Sequence, residues 1–470
     1  MIHPFAPELY CLTVSLLFLC FSLARPDAKR DYYIALILSA IGVALCLTSV
    51  HAEGELFSGT YRADLFSQVF KSMLFMGLFL VICLCTELKG VKEERHPEFY
   101  MLLWVSTLSM MLLVSNVHLL TIYAALELSS YSLYILVFLR KDRDYSVKSG
   151  LKYFFIGASA SALMLFGLAL LYGATGTAYV RELAEKIPGI IHRPDVMVGM
   201  LLILCGFFFK LALFPFHFWA PEVYEGAANQ AGAYISTVSK VAAIAILLRI
   251  VSLTSGGSEQ LVHILVVLSI VSMTVGNLCA IAQKDLKRLL AFSSIAHAGY
   301  VLIGILSMNP AGYASAVFYA LTVLVLKFTC FLVVIKVASE GQNLKVEQLA
   351  GLHKRSPLLA MALMMALFGL AGIPPTIGFT GKLLLFTAAM QKGHLMLLFI
   401  AMFNVVISLY YYLLVVKAAY LTEPAEDLPA LQISPQMKFL TAALVAVTVL
   451  AGFWPAYLID LAHAAAGALM

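Results

Sequence analysis

From Leu9 almost to the last residue, the chain repeats one pattern: an apolar run of about 20 residues followed by a short polar connection. Each run is long enough to cross roughly 30 Å of hydrocarbon as a helix. With 62% apolar residues, 12% charged residues and a mean hydropathy of +0.93, the chain has too few charges to cover a water-facing surface. Lipid is therefore its natural solvent. A backbone in lipid must satisfy its own polar groups, which selects helices here. The sequence predicts an all-α integral membrane protein with about 14 transmembrane helices. The expected spans are 7–25, 32–50, 65–87, 98–115, 118–139, 149–172, 196–218, 230–253, 260–282, 289–307, 311–338, 357–390, 394–420 and 437–457. Little chain is left for a soluble domain, so chemistry belongs inside the bundle or at partner surfaces.

Several function classes are disfavoured. The first apolar run follows Met-Ile-His-Pro, with no basic n-region and no small-residue cleavage pattern, and reads as a retained helix. The eight cysteines, Cys11, Cys20, Cys46, Cys83, Cys85, Cys205, Cys279 and Cys330, are scattered through apolar segments. Cys83 and Cys85 are the nearest pair, and two residues apart on a helix they do not face each other. Iron–sulfur and zinc spacings are missing, as are Walker and dinucleotide fingerprints, so neither a redox centre nor a metal site is expected in this chain. A net charge of +5 arises from basic residues between spans, which argues against nucleic acid as a partner.

Those loop charges give an orientation, because positive loops stay cytoplasmic. One alternating set of loops holds Arg25, Lys29 and Arg30; Lys89, Lys92 and Arg95; Arg140, Lys141, Arg143 and Lys148; Lys284, Lys287 and Arg288; and Lys336, Lys345, Lys354 and Arg355. The opposite set holds only Arg62, Arg181, Lys186, Arg193, Arg249 and Lys392. The bias predicts an even number of spans with both termini on the outer side.

Two apolar segments carry proline in mid-membrane: FKLALFPFHFWAP at Pro215, and LAGIPPTIGFTGKLLLF at Pro374 and Pro375. Proline removes a backbone donor and clashes with the preceding turn, so each segment is expected to be two half-helices. Irregular backbone at membrane depth needs protein or water to satisfy it. The breaks fall in the seventh and twelfth expected spans, and this odd offset reverses direction across the membrane, as inverted repeats require. The plainer reading is that proline is simply commoner in membrane helices. A lysine close to each break favours a paired functional role.

Once loops are set aside, ionisable residues remain inside apolar helices: Glu127, Lys210, Lys240, Lys327 and Lys382. On insertion scales a mid-bilayer lysine costs about 2.5 to 3.5 kcal/mol. Lys240 and Lys327 lie near mid-span and cannot easily reach either surface, so an interior, water-facing place is expected. For Lys71 and Lys152, nearer span ends, snorkelling to the headgroups is equally open. Burial favours the neutral amine and a neighbouring carboxylate restores the ammonium, so one acid among several lysines can act as a proton relay. His297 can accept and donate at once, although a lone helical histidine is equally often a satisfied core residue. His217 lies two residues past Pro215, where backbone groups and water should meet.

The order of these residues, over roughly 95 to 420, resembles the large antiporter-like subunits of respiratory complex I, a family shared with multisubunit cation/proton antiporters and membrane-bound hydrogenases. FKLALFPFHFWAPEVYEGA, LKYFFIGASASALMLFGLALLYGATGT, NLCAIAQKDLKRLLAFSSIAHAGYVLIG and LAGIPPTIGFTGKLLLF are similar to the subunit N branch of NADH-quinone oxidoreductase. The resemblance implies that Glu127 is the motif glutamate of the fifth span, Lys210 its partner, Lys240 a central connector and Lys382 the terminal lysine. Lys152 and His297 match further titratable positions, whereas Lys327 matches none. Two prolines of the family pattern are absent, one replaced by Ala228 and one from the YSLY stretch after Glu127.

The resemblance further implies helices 1–3 over 1–95, a first repeat over 96–255, an inverted five-helix repeat over 256–420 and a last helix over 421–470. It implies a proton-translocating subunit in a bacterial inner membrane with both termini periplasmic. Partners would be subunit M and the small subunits of the membrane arm, in a hetero-oligomer embedded in lipid. NADH, FMN, iron–sulfur clusters and quinone would belong to those partners. Two rivals are a cation/proton antiporter or hydrogenase-type subunit, and a passive membrane scaffold.

Overall fold

The structure is a computed structural model and describes residues 3–24, 26–253, 259–338, 340–424 and 429–469. The expected loop base Arg25 and the expected repeat boundary at 255/256 lie outside the described residues. The first helices are α1 (Ala6–Leu23), α2 (Ala28–Thr48), α3 (Leu65–Cys83), α4 (His96–Ser115), α5 (Leu119–Phe138) and α6 (Arg143–Thr175). A short hairpin of β1 (Gly54–Leu56) and β2 (Tyr61–Ala63) joins α2 to α3. Next come α7 (Val180–Ile190), α8 (Pro194–Leu211), α9 (Trp219–Gly226), α10 (Asn229–Ser236), α11 (Val238–Ser252), α12 (Glu259–Ile281) and α13 (Leu286–Leu306). The chain ends with α14 (Pro310–Val337), α15 (Leu352–Arg355), α16 (Pro357–Ala371), α17 (Ile377–Gln391), α18 (Leu395–Leu421), α19 (Pro435–Phe453) and α20 (Ala456–Gly467).

Among the described residues, 13 helical stretches are long and apolar enough to span a membrane. The α16–α17 pair supplies one further crossing in two halves, in agreement with the expected spans. The stretches 229–252, 286–306 and 310–337 are each 94% buried, so α10–α11, α13 and α14 form the centre of the bundle. By contrast α1 and α2 are each only one-third buried and lie at its edge.

Position decides what proline does. Pro194, Pro310, Pro357 and Pro435 each open a helix, where the missing N–H costs nothing. Asp27, Asp64, Asp285 and Asn309 cap other N-termini by accepting backbone N–H bonds. Pro215, Pro374 and Pro375 instead interrupt apolar sequence, and both interruptions have one backbone design. At the first, Ala212 is left-handed and Leu213 N–H donates to Phe208 O at 2.9 Å. At the second, Gly372 is left-handed and Ile373 N–H donates to Phe368 O at 2.9 Å. Each half-helix thus closes with the 6→1 bond of a Schellman cap and leaves its last carbonyls free.

A third interruption was not expected. Helix continuity fails at Thr237, between α10 and α11, without any proline. Ser236 and Thr237 both turn their hydroxyls back onto Ala233 O, at 2.9 and 2.7 Å. Such back-bonding competes with the helical ladder and bends it, and Lys240 follows one turn later.

The second break also needs close backbone approach. A Cβ built at Gly378 would lie 1.8 Å from Gly369 O on α16, whereas one at Gly173 meets nothing within 4 Å. Gly378→Ala should therefore lower stability by about 3 kcal/mol. Thermal unfolding of the purified protein beside a Gly173→Ala control checks this; equal melting temperatures would show that α17 does not depend on that contact.

Candidate functional site

The free carbonyls left by the breaks are where the expected lysines go. Lys240, on α11, donates Nζ–H to Lys210 O at 3.0 Å, and its ammonium lies 4.8 Å from the Trp219 ring centroid. Trp219 in turn donates Nε1–H to Phe209 O at 3.0 Å. Lys382, on α17, donates to both Leu370 O and Ala371 O at 2.9 Å and sits 4.7 Å from the Tyr300 ring centroid. Counted back from the left-handed residue of each cap, Lys210 and Leu370 hold the same place. A helix C-terminus carries partial negative charge, so both half-helices point the favourable dipole end at an ammonium.

Lys210 itself, on the last turn of α8, donates to Ser129 Oγ at 2.7 Å and Ser130 Oγ at 3.2 Å. The resemblance implied that Glu127 would be its partner, but no ion pair within 4.0 Å joins them. Glu127 instead accepts from Ser161 Oγ on α6, so hydroxyls bind the acid and the amine separately. Glu127 is 9% exposed and Lys210 1% exposed.

Lys327, fully buried on α14, donates to Leu290 O at 2.8 Å and Ser293 Oγ at 2.7 Å. Ser293 is hydrogen-bonded to the Tyr412 hydroxyl. Tyr412 lies 3.3 Å from His297 Nε2, and His297 Nδ1 lies 2.7 Å from the Tyr319 hydroxyl. Lys327 and His297 are therefore brought together, through groups that sequence reasoning did not single out.

Three further residues find their places only in the fold. Lys152 stays outside the buried set: it is 37% exposed and pairs with Glu222 at 2.5 Å on the flank of α6. His217 is buried and stacked on Phe214, and its Nδ1 has no hydrogen-bond partner. Lys71 does not snorkel. It is fully buried and bonds Glu8 Oε1 and the Tyr61 hydroxyl, each at 2.8 Å, while Tyr61 donates to Glu8 at 2.7 Å. Glu8 stands at a helix start in the sequence, where a place at the membrane surface is the natural reading, and only the fold, which brings its side chain to Lys71 of α3 and Tyr61 of β2, reveals the pair.

Loop bases were also under-read. Lys287 is fully buried and donates to Glu225 O and Ala227 O at 3.0 Å, and Arg140 donates to the same two carbonyls. Arg288 pairs with Glu225 Oε2 at 2.7 Å. Bases from the two halves thus clamp the loop after α9, the loop in which Ala228 stands. At the other end of the bundle, beyond Lys382, a cavity of about 800 Å³ is lined by His192, Glu259, His263, Lys392 and His394. Burial, with His263 and Lys392 adding repulsion, holds His394 below the usual imidazole range. Among the described residues no group of histidine, cysteine and carboxylate side chains is placed to hold a metal ion.

Residues 116–408 match the family described as NADH:quinone oxidoreductase/Mrp antiporter, transmembrane. The chain belongs to that family. It is 62% identical over 467 residues to NADH-quinone oxidoreductase subunit N 2 of Syntrophobacter fumaroxidans, covering 99% of both chains. Respiratory complex I from Thermus thermophilus contains a chain of like structure, with TM-score 0.85, 32% identity and coverage of 97% of this chain and 98% of that one. A chain of the Mrp complex from Dietzia aligns with TM-score 0.88 at 21% identity, over 99% of this chain and 97% of its own, a likeness of fold alone.

The buried Glu8–Lys71 pair gives a stability test. Lys71→Met leaves a buried carboxylate alone and should cost about 3 to 5 kcal/mol, while Glu8→Gln with Lys71→Met should recover most of it. Melting temperatures of the purified variants decide; a double variant no more stable than Lys71→Met would argue against an isolated pair.

Proposed function

We propose that this chain is the proton-translocating membrane subunit of a respiratory NADH:quinone oxidoreductase. It works in a bacterial inner membrane with both termini periplasmic, and subunit M and the small membrane-arm subunits surround it. NADH, FMN, iron–sulfur clusters and quinone reside in those partners, where electron transfer takes place, and this chain contributes no redox centre. The relay runs through internal water from Glu127 through Lys210 and Lys240 towards Lys382, with Lys152, His217, His297 and Lys327 in secondary places. The chain divides into helices 1–3 (1–95), two inverted five-helix repeats (96–255 and 256–420) and a last helix (421–470). Pro215, Pro374 and Pro375 create the half-helix ends on which the relay depends.

One observation carries this reading: at both breaks a buried lysine rests on the carbonyls of a half-helix C-terminus. Carbonyls stabilise the ammonium, and burial opposes it. A modest change in local field, such as movement of charge at Glu127, can therefore tip the amine between holding and releasing a proton.

The rival antiporter reading draws on the shared family, NADH:quinone oxidoreductase/Mrp antiporter, against 62% identity to the subunit N relative over nearly the whole chain. Co-purification of quinone reductase activity with this chain separates the two.

In the assembled enzyme, reconstituted into vesicles, Lys210→Ala and Lys382→Ala should abolish or sharply reduce proton translocation. Normal translocation in both variants would reject the relay. Intact pumping accompanied by lost assembly would favour a scaffold.

A further inference from the structure

A proton-transfer chain needs members that can accept a proton and pass one on. Carbonyl oxygens only accept, whereas hydroxyls and imidazole do both. This difference separates the buried lysines. Lys240 and Lys382 end on carbonyls. Lys210 donates to Ser129 and Ser130, yet both of those hydroxyls donate onward to Leu126 O, at 2.7 and 2.9 Å, which ends the path. Lys71 closes on its own counter-ion. Lys327 differs: beyond its amine lie Ser293, Tyr412, His297 and Tyr319 in unbroken hydrogen-bond contact.

The side chains have left their ordinary satisfaction to make this contact. Ser294, the neighbour of Ser293, folds back onto Leu290 O at 2.9 Å in the usual helical manner. Ser293 instead stands between an amine on α14 and a phenol on α18. The Tyr412 hydroxyl stands between Ser293 and His297, which lie four residues apart on α13. The far end lies against α17: a Cβ built at Gly381, the residue before Lys382, would meet Cδ2 of the Tyr319 ring at 2.8 Å. All of these groups are buried.

We propose that Lys327, Ser293, Tyr412 and His297 form a hydroxyl-linked proton wire that delivers to Tyr319, whose ring packs against α17 at Gly381. The inference rests on the proton-translocating function proposed above. In one transfer the Lys327 ammonium gives its proton to Ser293 Oγ, Ser293 gives its own hydroxyl proton to Tyr412, and Tyr412 gives its own to His297 Nε2. Three O–H or N–H bonds form and three break. Lys327 ends as a neutral amine and His297 as an imidazolium, with both hydroxyls intact. His297 then holds protons on both ring nitrogens, with the Nδ1 proton facing the Tyr319 hydroxyl; loss of that proton on the Tyr319 side, return of the imidazole from its Nε2 to its Nδ1 tautomer, and rotation of the two hydroxyls reset the path. Tyr412 carries the proton across from one turn of α13 to the next, so its hydroxyl is the link without substitute.

The test uses the assembled enzyme in vesicles, measuring proton translocation and quinone reduction together. Tyr412→Phe keeps the ring packed on Tyr411 and removes only the hydroxyl. It should slow translocation about tenfold, and Ser293→Ala should do the same while Ser293→Thr restores it. Because all members serve one path, Tyr412→Phe combined with Lys327→Met should be no slower than the slower single variant. Wild-type translocation in Tyr412→Phe and Ser293→Ala, with Lys210→Ala inactive, would overturn the wire and leave the relay standing. Unchanged translocation in Lys210→Ala and Lys382→Ala would overturn the relay, and the wire with it.

Discussion

The structure turns on backbone carbonyls that a helix normally uses for itself being left free at membrane depth and given to an ammonium group. In lipid each unsatisfied carbonyl costs free energy, so a broken helix is tolerable only when something polar reaches the break. Here the polar group is a lysine that would itself be costly to bury. Lys240 on the α8 end and Lys382 on the α16 end solve both problems together. The break and the charge need each other, which explains why each proline-interrupted helix has a buried lysine seated on its carbonyls.

The remaining interior charges fall into kinds with different chemical consequences. Glu8 and Lys71 neutralise one another in a closed, fully buried pair and tie α1, β2 and α3 together. Arg140, Lys287 and Arg288 grip the loop after α9 from two parts of the chain and hold the broken helix at its inner end. Glu127, Lys210 and Lys327 rest mainly on hydroxyls. These buried charges thus differ by the partner they are given, not by how deeply they lie.

Much of this was legible along the chain. Spans follow from hydropathy because roughly 30 Å of hydrocarbon imposes a length that soluble proteins need not obey. The breaks at Pro215 and Pro374–Pro375 follow from a missing backbone donor, and Lys240 and Lys327 stand out because mid-span amines have no surface within reach. Partners were not legible. Lys71 and Lys152 look alike in sequence, yet one is paired in the interior and the other is half-exposed beside Glu222, since Glu8 and Tyr61 close on the first and the described residues leave the second partly uncovered. The interruption at Thr237 was also hidden, because serine and threonine bend a helix only when their hydroxyls turn back onto it.

The sequence alone determined that this protein lives in lipid as a helical bundle, that two of its helices break at proline, and which ionisable residues sit too deep to be solvated. These are local consequences of composition, length and backbone chemistry. Tertiary structure alone decided what each buried charge touches: that Lys210 meets serines and not Glu127, that Lys240 and Lys382 share one kind of carbonyl seat, and that Ser293 and Tyr412 join Lys327 to His297. Hydrogen bonding acts over about 3 Å between groups tens to more than a hundred residues apart, and no periodicity along a chain encodes which helix faces will meet.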